Sequence, residues 1–354
     1  MCLVKGPYIG SMRHTIILIL WLLVPRDSLS VMCWNVENFF DWRNDSTTVS
    51  DAEFSSRGER HWSWKRFQAK ANAFATALFW VEGETGRLPD IVGLEEVENA
   101  FVLRQLLRKT ALRKTDYQYV HYDSPDRRGI DVALLYRSSA LELIDSKPCH
   151  LYEADTVMAT RDILLCVFRR KVDATSPPIA IHVNHHPSKY GGASESEPRR
   201  RIAVDRLRFL ADSLAAEGID RIIAGGDFND TPDNPVFLRL EPALKPLHTA
   251  LSRRSEGTIK YDGKWDLIDH FYASPGLSET PTGREPVSAR MRILRIPFLL
   301  TRDNAHSGDK PLRTYTGPRP TGGVSDHLPI LLEVVLPPES GIPDLSVGPG
   351  GEIR

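Results

Sequence analysis

The sequence predicts an α+β fold in which strands outnumber helices. Three observations lead there: short apolar runs recur along the chain, helical periodicity is confined to a few stretches, and most apolar runs end in clusters of carboxylates, amides or imidazoles.

Val31 to Val36 is the first such run, and polar Glu37-Asn38 follows at once, as in a buried strand that opens into a loop with Asn35 at its end. Trp64, Phe67, Ala71, Phe74 and Leu78 recur at three- and four-residue steps, which marks an amphipathic helix closed by Gly83 and Gly86. Asp90 to Leu94 reads as the next strand and Phe101 to Lys109 as a second helix. Val132 to Tyr136, Ile163 to Phe168 and Ile179 to Val183 are further buried strands. Glu197-Pro198 opens a third helix with Ile202, Leu207, Leu210 and Leu214 on one face, and Gly218 ends it. A strand from Arg221 to Ala224 is expected to break at Gly225-Gly226; Leu267 to Ala273 and Pro329 to Val335 complete the set. The segment from Ser274 to Ser325, with a basic apolar stretch from Arg290 to Leu300, is long enough to be a functional loop or surface excursion.

The 354 residues carry 41% hydrophobic and 26% charged side chains, enough apolar material for a sizeable core, so general disorder is excluded. Lys+Arg of 45 against Asp+Glu of 46 give no global pull toward a polyanion. Cys2, Cys33, Cys149 and Cys166 show no C-x-x-C spacing, which argues against a thiolate metal site or a disulfide scaffold; Cys33 and Cys166 lie in apolar runs as small buried hydrophobes. One domain is expected over 31–336, followed by a disordered Pro/Gly-rich tail at 337–354. Residues 1–30 form a leader or extension: Met12-Arg13-His14 precedes an apolar run from Thr15 to Val24, too short to span a bilayer but similar to a secretory signal. That reading implies a secreted or periplasmic protein. If the run is instead the domain's own first strand or helix, the protein is cytoplasmic.

The polar clusters are Trp34-Asn35-Val36-Glu37-Asn38, Gly93-Leu94-Glu95-Glu96-Val97, Asn184-His185-His186, Gly226-Asp227-Phe228-Asn229-Asp230 and Ser325-Asp326-His327. If these strand ends share one rim, they supply oxygen ligands of the kind that suit Mg²⁺, with Mn²⁺ the alternative. One such cluster alone is no more than a turn or cap. Isolated histidines (His61, His121, His150, His248, His270, His306) are read as surface or satisfied residues, and Trp62 and Trp64 as core packing.

Taken in order and with their spacing, the WNVEN, GLEEVEN, GIDVALLY, GGDFND and SDHLP stretches resemble the endonuclease/exonuclease/phosphatase superfamily over Val31 to Val335, including deoxyribonuclease-I-like nucleases and sphingomyelinases. The resemblance implies a four-layer α/β/β/α sandwich of two mostly antiparallel sheets with helices outside, and Mg²⁺-dependent attack of water on a phosphodiester. It further implies that Asn35, Glu96 and Asp326 serve the metal, and that His185, Asp227, Asn229, Asp269 and His327 are catalytic, with Asp269 orienting His327. Asn184, Asp131, Lys189 and Arg313 would contact substrate, Asp131 as an acidic partner for His185. Tyr315 also lies near these clusters. Adjacent glutamates on a strand face opposite sides, so Glu95 is expected to point away from the site. Nucleic acid is the expected substrate, with a lipid or inositol phosphate, such as a phosphorylated lipid headgroup, as the alternative; a monomer without a stable protein partner is expected. Because no ligand position of the family pattern is substituted, an inactive adaptor of the same fold is the weakest reading.

Overall fold

A computed structural model describes residues 28–44, 50–172, 175–189, 193–252, 256–278 and 289–336. The leader expected before residue 28 and the tail from 337 lie outside the described residues.

The main strands are β1 (Ser28–Phe39), β2 (Ile91–Val97), β3 (Tyr117–His121), β4 (Asp131–Arg137), β5 (Leu141–Cys149), β6 (Ile163–Arg170), β7 (Ile179–His185), β8 (Arg221–Asp227), β9 (Lys245–Pro246), β10 (Asp269–Ala273), β11 (Ala289–Ile293) and β12 (Ile330–Val335). They form two six-stranded sheets in the orders β11-β12-β1-β2-β4-β3 and β9-β10-β8-β7-β6-β5. Each sheet has one parallel pair at its centre, β1 with β2 and β8 with β7, and its other pairings are antiparallel. The C-terminal ends of these parallel pairs, the start of β10 and the chain just before β12 therefore meet at one rim.

Alternation along β1 sorts the core into layers. Met32, Trp34 and Val36 pack with Phe67, Phe74, Leu78 and Leu103 of α1 (Trp64–Thr85) and α2 (Ala100–Lys109) on the outside of the first sheet. Val31 and Cys33 face inward and meet Ile181, Val183 and Phe271 of the second sheet. Ala180, Ile222 and Ala224 turn outward to Val204, Leu207 and Leu214 of α3 (Ala193–Ala216). The result is a four-layer α/β/β/α arrangement.

Several local expectations are corrected. Gly83 lies within α1, which ends only at Gly86, whose φ of 80° provides the left-handed cap. Trp62 is buried, whereas Trp64 at the helix start is 54% exposed. Strand β1 begins at Ser28, inside the expected leader, because Ser28 to Ser30 pair with Val335 to Glu333. Pro198 lies inside α3, which starts at Ala193. β8 does not break at Gly225-Gly226 but runs through both; a Cβ on Gly225 would sit 2.3 Å from the ring of Phe271, its partner on β10 in the same sheet, and 2.9 Å from Cys33 Sγ of the facing sheet. The described part of Ser274 to Ser325 contains β11 and two hairpins, 300–311 and 315–320, beside the rim.

Candidate active site

At the rim, where the pairing of β1 with β2 shifts register, β1 carries Asn35, whose Nδ2 donates to Asp227 Oδ2 at 3.1 Å and to Glu96 Oε1 at 3.4 Å. Glu96 is fixed from the other side by the Asn38 backbone N–H, which donates to Oε2 at 2.8 Å. His185 Nε2 lies 3.9 Å from Glu96 Oε1 and 3.6 Å from Asp227 Oδ2. The second sheet adds Asn229, whose backbone N–H donates to Asp227 Oδ1 at 2.8 Å and whose Nδ2 reaches Asp227 Oδ2 at 3.3 Å. His327 Nδ1 is 2.9 Å from Asp269 Oδ2, and its Nε2 faces Asp227 Oδ2 at 4.0 Å. Thus Asn35, Glu96, His185, Asp227, Asn229, Asp269 and His327 are brought together.

The backbone is bent to achieve this. Glu37, Asn38, Glu96 and Asn229 all have positive φ, between 46° and 66°, a region that non-glycine residues hold only where surrounding contacts enforce it. At Glu96 the turn accompanies a register shift against β4, so strand alternation fails there. This explains why Glu95 does not point away as expected. It is fully buried between the sheets, close enough that a Cβ on Gly226 would lie 2.7 Å from its Oε1, and the carboxylates of Asp269 and Asp227 act on it.

Other expected site residues lie elsewhere. Asn184, next to His185 on β7, is fully buried and donates to the backbone carbonyls of His182 and Gly225, so it is not in the cluster. Asp131 pairs with His121 Nε2 at 3.0 Å and accepts from the Ser124 backbone N–H; the partner it finds is the histidine set aside as isolated, not His185. Lys189 binds Asp230 at 2.8 Å, and Tyr315 is buried, donating to the Arg60 carbonyl. Arg313 bridges Glu37 Oε1 at 3.1 Å and Asp326 Oδ2 at 3.0 Å, placing both acids at the edge of the cluster.

Sequence reasoning missed three groups. Glu37 anchors Arg313 and the Thr314 backbone N–H. Buried Lys70 of α1 donates to the Glu37 carbonyl and to Thr314 Oγ1. Arg161, also buried, joins Asp126 to the His186 carbonyl, which accepts from Asn229 as well. A Lys amid the apolar period of α1 was the one available signal.

The two histidines occupy opposite electrostatic settings. Burial, reinforced by the charges of Arg161 and Arg128, holds the His185 pKa well below the usual value, which favours the neutral imidazole. Burial also opposes charge on His327, but Asp269, Asp227 and Asp326 outweigh it and hold its pKa well above the usual value. Burial pushes the Asp227 carboxyl up to about 7 against the pull of His327. Groups whose proton affinities are driven apart in this way can serve as acid and base.

Two clusters of described residues each bring three ligand residues, two carboxylates and an imidazole, within reach of a cation: Asp227, Asp269 and His327, and separately His121, Asp123 and Asp131. In the first, His327 Nδ1 and Asp269 are already bonded to each other, which leaves Asp227 as its open carboxylate. Glu96 is the partly exposed carboxylate beside it, positioned by two N–H donors, and the carboxylate oxygens of Glu96 and Asp227 fit a hard divalent ion, while Asn35 turns its amide N–H groups toward both and its Oδ1 accepts from the Glu37 backbone N–H.

The family model described as "Endonuclease/Exonuclease/phosphatase family" matches residues 30–335. This chain belongs to that family. Its members are hydrolases of phosphoesters and are generally dependent on a divalent metal. A Bacteroides thetaiotaomicron member superposes with a TM-score of 0.56 at 18% identity, covering 87% of this chain and 95% of its own. A mannosyl-6-phosphatase from the same organism gives 0.55 at 17% identity, covering 87% and 100%. D. rerio TDP2 complexed with a single-strand DNA product gives 0.51 at 16% identity, covering 87% and 98%. At these identities the likeness establishes the shared fold, and no curated protein matches.

Proposed function

We propose that the protein is a Mg²⁺-dependent phosphodiesterase that hydrolyses nucleic-acid backbones with water as nucleophile. The observation that carries this reading is the meeting of Glu96, Asn35 and Asp227 with His185 and the hydrogen-bonded His327–Asp269 pair at a single rim. Glu96 and Asp227 would hold a divalent ion, with Asn35 fixing both carboxylates through its amide, and the ion would supply charge neutralisation for the phosphate. The ionised Asp227 carboxylate takes the proton of the attacking water, and the amides of Asn35 and Asn229 keep its oxygens in place. As the new bond to phosphorus forms, the bond to the leaving sugar oxygen breaks, and His327, its tautomer set by Asp269, gives its Nε2 proton to that oxygen. His185 holds a phosphate oxygen opposite.

The test is hydrolysis of supercoiled plasmid, short single-stranded DNA and RNA, and bis-p-nitrophenyl phosphate, in Mg²⁺, Mn²⁺ or EDTA. Wild type should cut nucleic acid only with metal, and Glu96→Gln and His327→Ala should each lose about a hundredfold or more in kcat while keeping the wild-type far-UV circular dichroism. Hydrolysis of the small diester alone would overturn the nucleic-acid part and direct the search to sugar or lipid phosphates. Equal rates in EDTA would overturn the metal dependence.

A further inference from the structure

Two clefts flank the rim. The larger, about 720 Å³, begins at Glu98 and Asp131, immediately beyond Glu96, and runs to Arg43, Phe101 and Arg104. The smaller, about 180 Å³, begins at Asp326, beside His327, and is lined by Lys260, Lys310 and Arg313. In the larger cleft the Arg43 guanidinium lies 3.7 Å from the Phe101 ring centroid and is tied at 3.0 Å to Asp41, while half of its side chain remains exposed. Arg104 approaches the same ring at 6.0 Å, and Trp42 packs on it at 5.6 Å. This is a flat cation stacked on an aromatic support and held against rotation. A planar guanidinium fixed in this way stacks well on a nucleobase, but only on one that is not already stacked within a duplex.

Resting on the nucleic-acid reading above, we infer that Arg43, backed by Phe101, is a stacking platform for a base flanking the scissile phosphate of a single strand, whose next phosphate on the other side falls toward Lys310 and Arg313. The residue then determines substrate form, and single strands are preferred over duplex.

The experiment compares wild type, Arg43→Ala and Phe101→Leu on a single-stranded oligonucleotide, the same sequence as duplex, and bis-p-nitrophenyl phosphate. A second readout is the anisotropy of a fluorescein-labelled single strand titrated with each protein in EDTA. Both variants should lower the ratio of kcat/KM for the single strand over that for the small diester by about ten- to a hundredfold, the cost of one lost stacking contact, and weaken single-strand binding to a similar degree. An unchanged ratio with unchanged binding overturns the platform, as does a fall that is equal on all substrates. Wild type that binds the labelled strand through Arg43 but cuts no nucleic acid overturns the hydrolytic reading and leaves the platform standing.

Discussion

The pairing of His327 with Asp269 sets the charge on which the proposed chemistry depends, and its removal has a defined sign. His327 must be protonated to donate, and its proton is retained because Asp269 offsets the cost of burial. In Asp269→Asn the imidazole loses that partner and its pKa falls. The alkaline limb of the kcat/KM profile should move to lower pH, with kcat at neutral pH reduced by about a thousandfold or more, comparable to the loss of an orienting carboxylate behind a catalytic histidine. Asp227 must be ionised to take a proton, and burial raises its carboxyl to about 7, so activity should also fall on the acid side. An alkaline limb that stays in place would remove Asp269 from this role. At this scale much of the site was legible in the sequence, because Asn35, Glu96, His185, Asp227, Asn229, Asp269 and His327 sit in compact motifs. Glu95 and Glu37 were not, since their placement depends on left-handed turns at Glu96 and Glu37 that strand alternation does not encode. The His121–Asp131 pair joins adjacent strands and has no local signal either.

Among the elements, those with a clean apolar period could be read directly, and the errors arose where glycine or proline was treated as punctuation. Gly225 and Gly226 continue β8 where adjacent strands (Phe271, Asn184) and the facing sheet (Cys33, Glu95) together occupy the volume a side chain would take. Gly225→Ala should therefore destabilise the fold by about 1–3 kcal/mol or more, since its Cβ would displace the Phe271 ring or the Cys33 thiol. Urea unfolding monitored by tryptophan fluorescence measures this; a midpoint within error of wild type would mean that the Phe271 ring and the Cys33 thiol move aside at little cost. Gly83→Ala, where nothing lies within 4 Å of the added atom, is the matched control and should be neutral or slightly stabilising in the helix interior. The hairpins at 300–311 and 315–320 were hidden in a segment whose turn residues resemble those of an irregular loop.

For the molecule as a whole, the four-layer order follows from alternation in each sheet, whereas the pairing of the two sheets at one rim is a long-range result that no single segment announces. The site exists only while both sheets are in place: Asn35 and Glu96 come from one, and His185, Asp227 and Asp269 from the other. Cys33 lies between them, its sulfur enclosed where both Gly93 and Gly225 leave room, 2.9 Å from the position of a Cβ on either. That arrangement makes the thiol an internal clock for separation of the halves. In a Cys2→Ser, Cys149→Ser, Cys166→Ser protein, a disulfide reagent should label Cys33 no faster than the chain unfolds globally, even at saturating reagent, while turnover continues unaffected. Faster labelling would reveal that the sheets breathe apart without unfolding, and the catalytic groups would then be dispersed and reassembled with each opening.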